Sequence, residues 1–216
     1  MADLFREIDE ELRQERAARL WQRYGKYAIA AAVLIVLGVA AYKGWEEYRR
    51  SLLVADSARY MTAHNLAREG KEKEARDIFA VLEKEGTDGY AVLARLSDAG
   101  ATARTGDVDG AVAQYDAIAN DGAIAQQIRH LALIRAVQLR VDDPKAEPKA
   151  LIDRLAPLAD ARNPWRGTAL ETMGTLALRA GDTAKAREYF TRIADDLELQ
   201  EGLRTRAAEL LATLGG

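Results

Sequence analysis

A glycine, an alanine five residues on and an aromatic four residues further recur three times in this chain, as Gly70…Ala75…Phe79, Gly106…Ala111…Tyr115 and Gly181…Ala186…Phe190. No other feature constrains the fold as much, because each member has its own physical task. A glycine at a helix end takes up the left-handed backbone of a tight turn. The next residue opens a second helix, and Asp107 and Asp182 carry the short carboxylate that caps free N–H groups there. The alanine lets two helices of a hairpin approach closely, and the aromatic fills the gap to the neighbouring hairpin. Seven residues before each glycine stands another small residue, Ala63, Ala99 or Gly174, so the pattern reaches back into the first helix. The step from Gly70 to Gly106 is 36 residues, and that from Gly106 to Gly181 is 75, room for one degenerate unit between them.

This unit resembles the tetratricopeptide repeat, a helix-turn-helix with a period near 34 residues. The resemblance implies an all-α fold: a right-handed stack of helical hairpins closed by a capping helix. The family's tryptophan and tyrosine in the first helix are missing, and the spacing runs two or three residues long. Composition agrees with helices, since alanine, leucine and arginine dominate and there are only four prolines. Hairpins are expected at about 51–86, 88–120, 122–160 and 163–198. The third contains an inserted loop around Asp142 and Pro144, with a helix expected at 149–159 and a core stripe of Leu151, Leu155 and Leu158. A capping helix is expected at 200–214, with Leu203, Ala207, Leu210, Leu211 and Leu214 at helical spacing.

Ahead of the repeats lies a run of sixteen uncharged residues, 27–42, bracketed by Lys26 and Lys43. Tyr27, Ala28, Ile29, Val33, Leu34, Ile35, Val36, Leu37, Gly38, Val39 and Tyr42 mark it as a membrane anchor. At ~1.5 Å per residue the run covers about 24 Å, short of a ~30 Å hydrocarbon core. Snorkelling lysines and the interfacial rings of Tyr24, Tyr27, Tyr42 and Trp45 make up the difference. A cleaved signal peptide fits less well, because the 26 preceding residues hold six basic and six acidic side chains. A buried core helix would seldom carry aromatic belts at both ends. Arg13, Arg16, Arg19, Arg23 and Lys26 precede the run, against Lys43, Arg49 and Arg50 after it, which favours a cytoplasmic N-terminus and an exported C-terminal domain. The expected division is 1–25 as a cytoplasmic amphipathic helix (Leu4, Phe5, Ile8, Leu12 and Trp21 forming its stripe), 26–45 as the anchor and 46–216 as a periplasmic repeat domain. The anchor helix is expected to run without a breaker into the first repeat helix, ending at Glu69.

Little is left for chemistry. Two histidines, no cysteine and three serines offer no constellation of acid, base and nucleophile and no metal-ligand spacing, so neither an enzyme nor a metal or cofactor site is expected. A net charge of −3 carries no basic footprint for nucleic acid, and no small-molecule substrate is indicated. Asp142, Asp143 and Glu147 read as a solvated loop, and Trp165 after Asn163 and Pro164 as a staple at the start of its helix.

The whole layout is similar to a bacterial family of single-pass inner-membrane proteins typified by the ancillary subunit of the SecYEG translocon. The runs from Phe5 to Arg13 and from Leu20 to Gly25 look like its alphaproteobacterial branch, and Gly44-Trp45 resembles its aromatic-rich exit from the membrane. The resemblance implies an adaptor beside the Sec channel that passes emerging polypeptides to periplasmic chaperones. An anchored scaffold in envelope assembly or cell division is the alternative.

Hairpin stacks bind proteins on a concave face made by the first helix of each pair. Counting back from the turn glycines, its inward positions hold Tyr60 and His64, Leu96 and Gly100, and Glu171 and Thr175. These are not the Lys and Asn residues with which such folds clamp a terminal carboxylate. Arg68, Arg104 and Arg179 each stand two residues before a turn glycine. Complementing the helix dipole is the favoured reading of this ladder. The other is a grip on acidic or backbone groups of a peptide. The expected groove residues are therefore Tyr60, His64, Arg68, Arg104, Glu171 and Arg179.

Overall fold

The computed structural model describes residues 2–215, with side chains described from Ala18 onward except those of Ala28 and Asp88. The amphipathic stripe expected at Leu4, Phe5, Ile8 and Leu12 therefore lies outside the described side chains. The protein is all-helical, and its helices are α1 (Ala2–Arg68), α2 (Glu72–Glu85), α3 (Asp88–Arg104), α4 (Val108–Ala119), α5 (Gln126–Gln138), α6 (Pro148–Leu155), α7 (Arg166–Arg179), α8 (Thr183–Ala194) and α9 (Glu201–Leu214). The chain forms two compact units, one ending at Ala55 and the other beginning at Asp56. The first contains α1 up to that point. The second contains the last turns of α1 and all the hairpins.

In the second unit the turn chemistry follows the repeat pattern. Gly70, Gly106 and Gly181 have φ of 78°, 91° and 76°, and no non-glycine residue has positive φ among the described residues. At two of these turns the helix end closes with paired bonds that satisfy its last carbonyls. Lys71 donates its N–H to Leu66 O at 2.9 Å and Gly70 donates to Ala67 O at 3.2 Å. Asp182 N–H to Ala177 O and Gly181 N–H to Leu178 O repeat this, both at 2.9 Å. Asp107 and Asp182 cap the following helices, accepting from the amides of Gly110 and Lys185 at 2.9 Å.

Packing also follows the pattern. Ala63, Ala75 and Phe79 are buried together with Leu82 and Ala94. Ala99, Tyr115 and Ile118 form a second cluster with Ala132 and Ala136. The largest gathers Leu155, Leu170, Met173, Leu176, Phe190 and Ile193. In it α7 and α8 approach closely, because Gly174 lies under the Phe190 ring, where an added Cβ would come within 2.6 Å of two ring carbons.

The third hairpin is the irregular one. Helix α6 starts with Pro148 at its first position, where no N–H is required, and ends after eight residues. The helix expected at 149–159 tightens into a 3-10 turn over Ala156–Ala159, because Pro157 cannot donate the next intrahelical bond. Helix α6 then packs more on α7 than on its hairpin partner α5.

One tie joins the last turns of α1 to the start of α3. Asp56 is only 5 % exposed, and its Oδ2 accepts the Thr87 amide at 2.7 Å. A buried carboxylate thus satisfies a free N–H at the N-terminus of a neighbouring helix.

Candidate functional site

The first helices of three successive hairpins, α1, α3 and α5, line one open groove of about 860 Å³. Three residues at a spacing of four come from each. Tyr60, His64 and Arg68 belong to α1, Leu96, Gly100 and Arg104 to α3, and Leu131, Arg135 and Leu139 to α5. Residues four apart lie on one helix face, so the nine positions form a grid of three rows across three helices. One outer row, Tyr60, Leu96 and Leu131, is apolar except for the Tyr60 hydroxyl, which is 2.9 Å from Ser97 Oγ. The Tyr60 ring packs against Phe79 and Tyr90 at centroid distances of 5.8 and 6.0 Å. The other two rows carry His64, Arg135, Arg68 and Arg104. Among the described residues no carboxylate lines this groove.

The cations differ in how far they are engaged. Arg104 is paired with Glu72 through two bonds, Nε to Oε1 at 2.5 Å and a terminal nitrogen to Oε2 at 3.0 Å. That hydrogen bond holds its guanidinium above its ordinary pKa. Among the described residues Arg135 reaches only the side-chain carbonyl of Gln138, at 3.3 Å. Arg68 is exposed and makes no ion pair among the described residues. Tyr115 of α4, a repeat aromatic that is only 7 % exposed, lines the groove together with Arg104 and Arg135. Burial pushes its phenol above the usual tyrosine value, and the charges of Arg135 and Arg104 pull the other way. Its hydroxyl lies 3.3 Å from where a Gly100 Cβ would stand and has no hydrogen-bond partner among the described residues.

The remaining positions expected in the groove are placed elsewhere. Glu171 of α7 accepts Arg206 of α9 at 3.1 Å. Arg179 donates to four backbone carbonyls of the inserted loop, those of Arg140, Val141, Asp143 and Ala146. It latches the irregular hairpin, a role that differs from dipole complementation and from peptide binding. The α5 residues are the ones sequence reasoning missed. Their signal was present, since Leu131, Arg135 and Leu139 follow Leu96, Gly100 and Arg104 by 35 residues. It was hidden because Val141 stands where a turn glycine would mark the register.

Residues 18–211 match the tetratricopeptide repeat-like domain. This chain belongs to that family. No curated protein matches it. Tetratricopeptide repeat-like folds typically serve as scaffolds for protein–protein interaction, and the α1/α3/α5 groove is formed by first helices of successive hairpins, as their concave faces are. The match begins before residue 27 and so takes in the apolar run. In the first unit, that run lies within the one helix among the described residues long and apolar enough to cross a membrane. Its described side chains are all exposed, with Tyr27 and Tyr42 at the two ends. Lys26 Nζ stands over the Tyr27 ring, 5.1 Å from its centroid, and Lys43 pairs with Glu46 at 2.8 Å.

Proposed function

We propose that this protein is a membrane-anchored adaptor, an ancillary subunit of the Sec translocon whose groove takes hold of exported polypeptides on their way to periplasmic chaperones. The observation that carries the adaptor reading is the open groove, built from three first helices of a family whose hairpins serve protein–protein interaction. Its mixture of aromatic, aliphatic and cationic surface suits an extended chain held by side chains in passing. The exposed apolar helix with an aromatic and a lysine at each end supports a membrane tether. The translocon placement rests on the layout and on the N-terminal motifs that resemble the Sec-associated family. The excess of arginine and lysine before the apolar run supports a cytoplasmic N-terminus and a periplasmic groove.

Photo-crosslinking in living cells tests this reading. A crosslinking amino acid at Leu96 is expected to capture exported polypeptides, periplasmic chaperones or Sec components, whereas one at exposed Val81 on α2 should not. Adducts at Leu96 confined to division or outer-membrane proteins would overturn the translocon role. Protease added to spheroplasts should degrade the hairpin unit, and full protection would overturn the periplasmic placement.

A further inference from the structure

The groove has an electrostatic asymmetry that narrows what it would take. One outer row is apolar, the other two hold three arginines and a histidine, and no carboxylate lines the space among the described residues, in a chain of net charge −3. Arg104 is partly neutralised by Glu72, but Arg68 and Arg135 have no carboxylate partner among the described residues. Tyr115 lines the same groove, and its hydroxyl, without a hydrogen-bond partner among the described residues, is a further donor there. An arriving carboxylate would accept from this O–H in place of water, a charge-assisted hydrogen bond. The phenol is protonated at neutral pH, all the more as burial raises its pKa, and so can donate to such an anion.

An extended peptide sends alternate side chains to opposite sides. Laid across α1, α3 and α5, such a chain meets Tyr60, Leu96 and Leu131 on one side and the guanidinium rows on the other. We infer that the groove recognises an extended polypeptide segment in which acidic and apolar side chains alternate, with one carboxylate seated between Arg104 and Arg135 against the Tyr115 hydroxyl. The groove is open rather than enclosed, so a chain can run through it. The ligand is therefore an internal segment running through, its anion a side-chain carboxylate rather than a chain terminus. The inference rests on the protein-binding reading and would fall without disturbing it if neutral segments bound equally well.

Fluorescence polarisation on the full chain in nanodiscs tests it with three labelled eight-residue peptides. One alternates Leu with Glu and is amidated, a second alternates Leu with Gln and is amidated, and a third has the Gln sequence with a free C-terminal carboxylate. The Glu peptide is expected to bind at least about ten-fold tighter than either Gln peptide, as a charge-assisted hydrogen bond implies. Tyr115→Phe should weaken the Glu peptide by about three- to ten-fold and leave the amidated Gln peptide unchanged. Phenylalanine fits this fold, since Phe79 and Phe190 hold the equivalent positions. Arg135→Gln, at an exposed site, should act in the same direction. Equal affinities for the Glu and Gln peptides, unaltered binding by both variants, tightest binding of the free-carboxylate peptide, or no binding of the Glu peptide would each overturn the carboxylate seat. Crosslinking from Leu96 to client proteins reports separately on protein binding itself.

Discussion

The close approach of α7 and α8 at Gly174 gives the most direct test of the packing. In Gly174→Ala the new Cβ would meet two Phe190 ring carbons at 2.6 Å and a third at 3.1 Å. Carbon atoms rest about 3.5–4.0 Å apart, so the ring or the helices must yield by about 1 Å. Phe190 is fully buried and has no open side to turn toward. Overpacking of this kind costs about 1–3 kcal/mol. Replacing a mid-helix glycine by alanine returns about 1 kcal/mol through backbone propensity. The balance is a loss of about 0–2 kcal/mol, or up to roughly 8 °C in melting temperature for a chain of this size. Gly202→Ala, in α9 with nothing within 4 Å of the new Cβ, makes the same chemical change without the clash and should stabilise slightly. Thermal unfolding of the full chain in micelles, followed by circular dichroism at 222 nm, reads both. In the Phe190→Leu background Gly174→Ala should lose most of its penalty, a coupling a double-mutant cycle measures directly. A Gly174→Ala protein as stable as Gly202→Ala, or a penalty that survives Phe190→Leu, would refute the close-approach reasoning.

Three further outcomes are expected. Asp56→Ala should lower stability by about 1–2 kcal/mol in urea unfolding by stranding the Thr87 amide, whereas Asp56→Asn, which keeps an acceptor, should lose less. Arg179→Met should free the inserted loop, seen as faster hydrogen exchange at 139–147 and new protease cleavage there while the peptide affinity of the groove is kept. Stability should fall on acidification. Asp121, bonded to Arg95 and to the Ala123 amide, and Asp196, bonded to Arg166, titrate below the usual carboxylate range in the folded state. The unfolded chain therefore binds more protons in that range, and the contribution present above about pH 4 is lost as pH falls through the depressed folded values. Urea midpoints at pH 7, 5 and 3 measure this, and a midpoint that rises toward pH 3 would contradict the sign.

The legible part of this fold was whatever depends on period and on backbone permission. Only glycine takes positive φ cheaply, so Gly70, Gly106 and Gly181 marked their turns, and Asp107 and Asp182 marked the helix starts beyond them. The small residues at 63, 99 and 174 followed from the same spacing. What could not be read was where long side chains go once the turns are irregular. Arg68, Arg104 and Arg179 share one sequence position and end in three situations: exposed, paired with Glu72, and latched to a loop. Their fates depend on what the neighbouring hairpin presents, and in the third hairpin that is a set of carbonyls from an insertion with no period. The α5 side of the groove was obscured for the same reason, as Arg135 carries no turn glycine beside it. Asp56 was missed because its partner is a backbone amide 31 residues away, which no side-chain pattern reports.

The number of helices lining the groove sets the footprint of whatever it holds. Adjacent packed helices lie about 8–10 Å apart, so the span from α1 to α5 is about 20 Å. An extended chain covers that in about six residues at ~3.3 Å each. So short a segment buries little area, and a micromolar complex formed at about 10⁶ M⁻¹s⁻¹ dissociates in about one second. In the role proposed above, a translocating chain would be sampled piece by piece and released before it could be arrested. Brevity of contact would then follow from how few helices share the concave face.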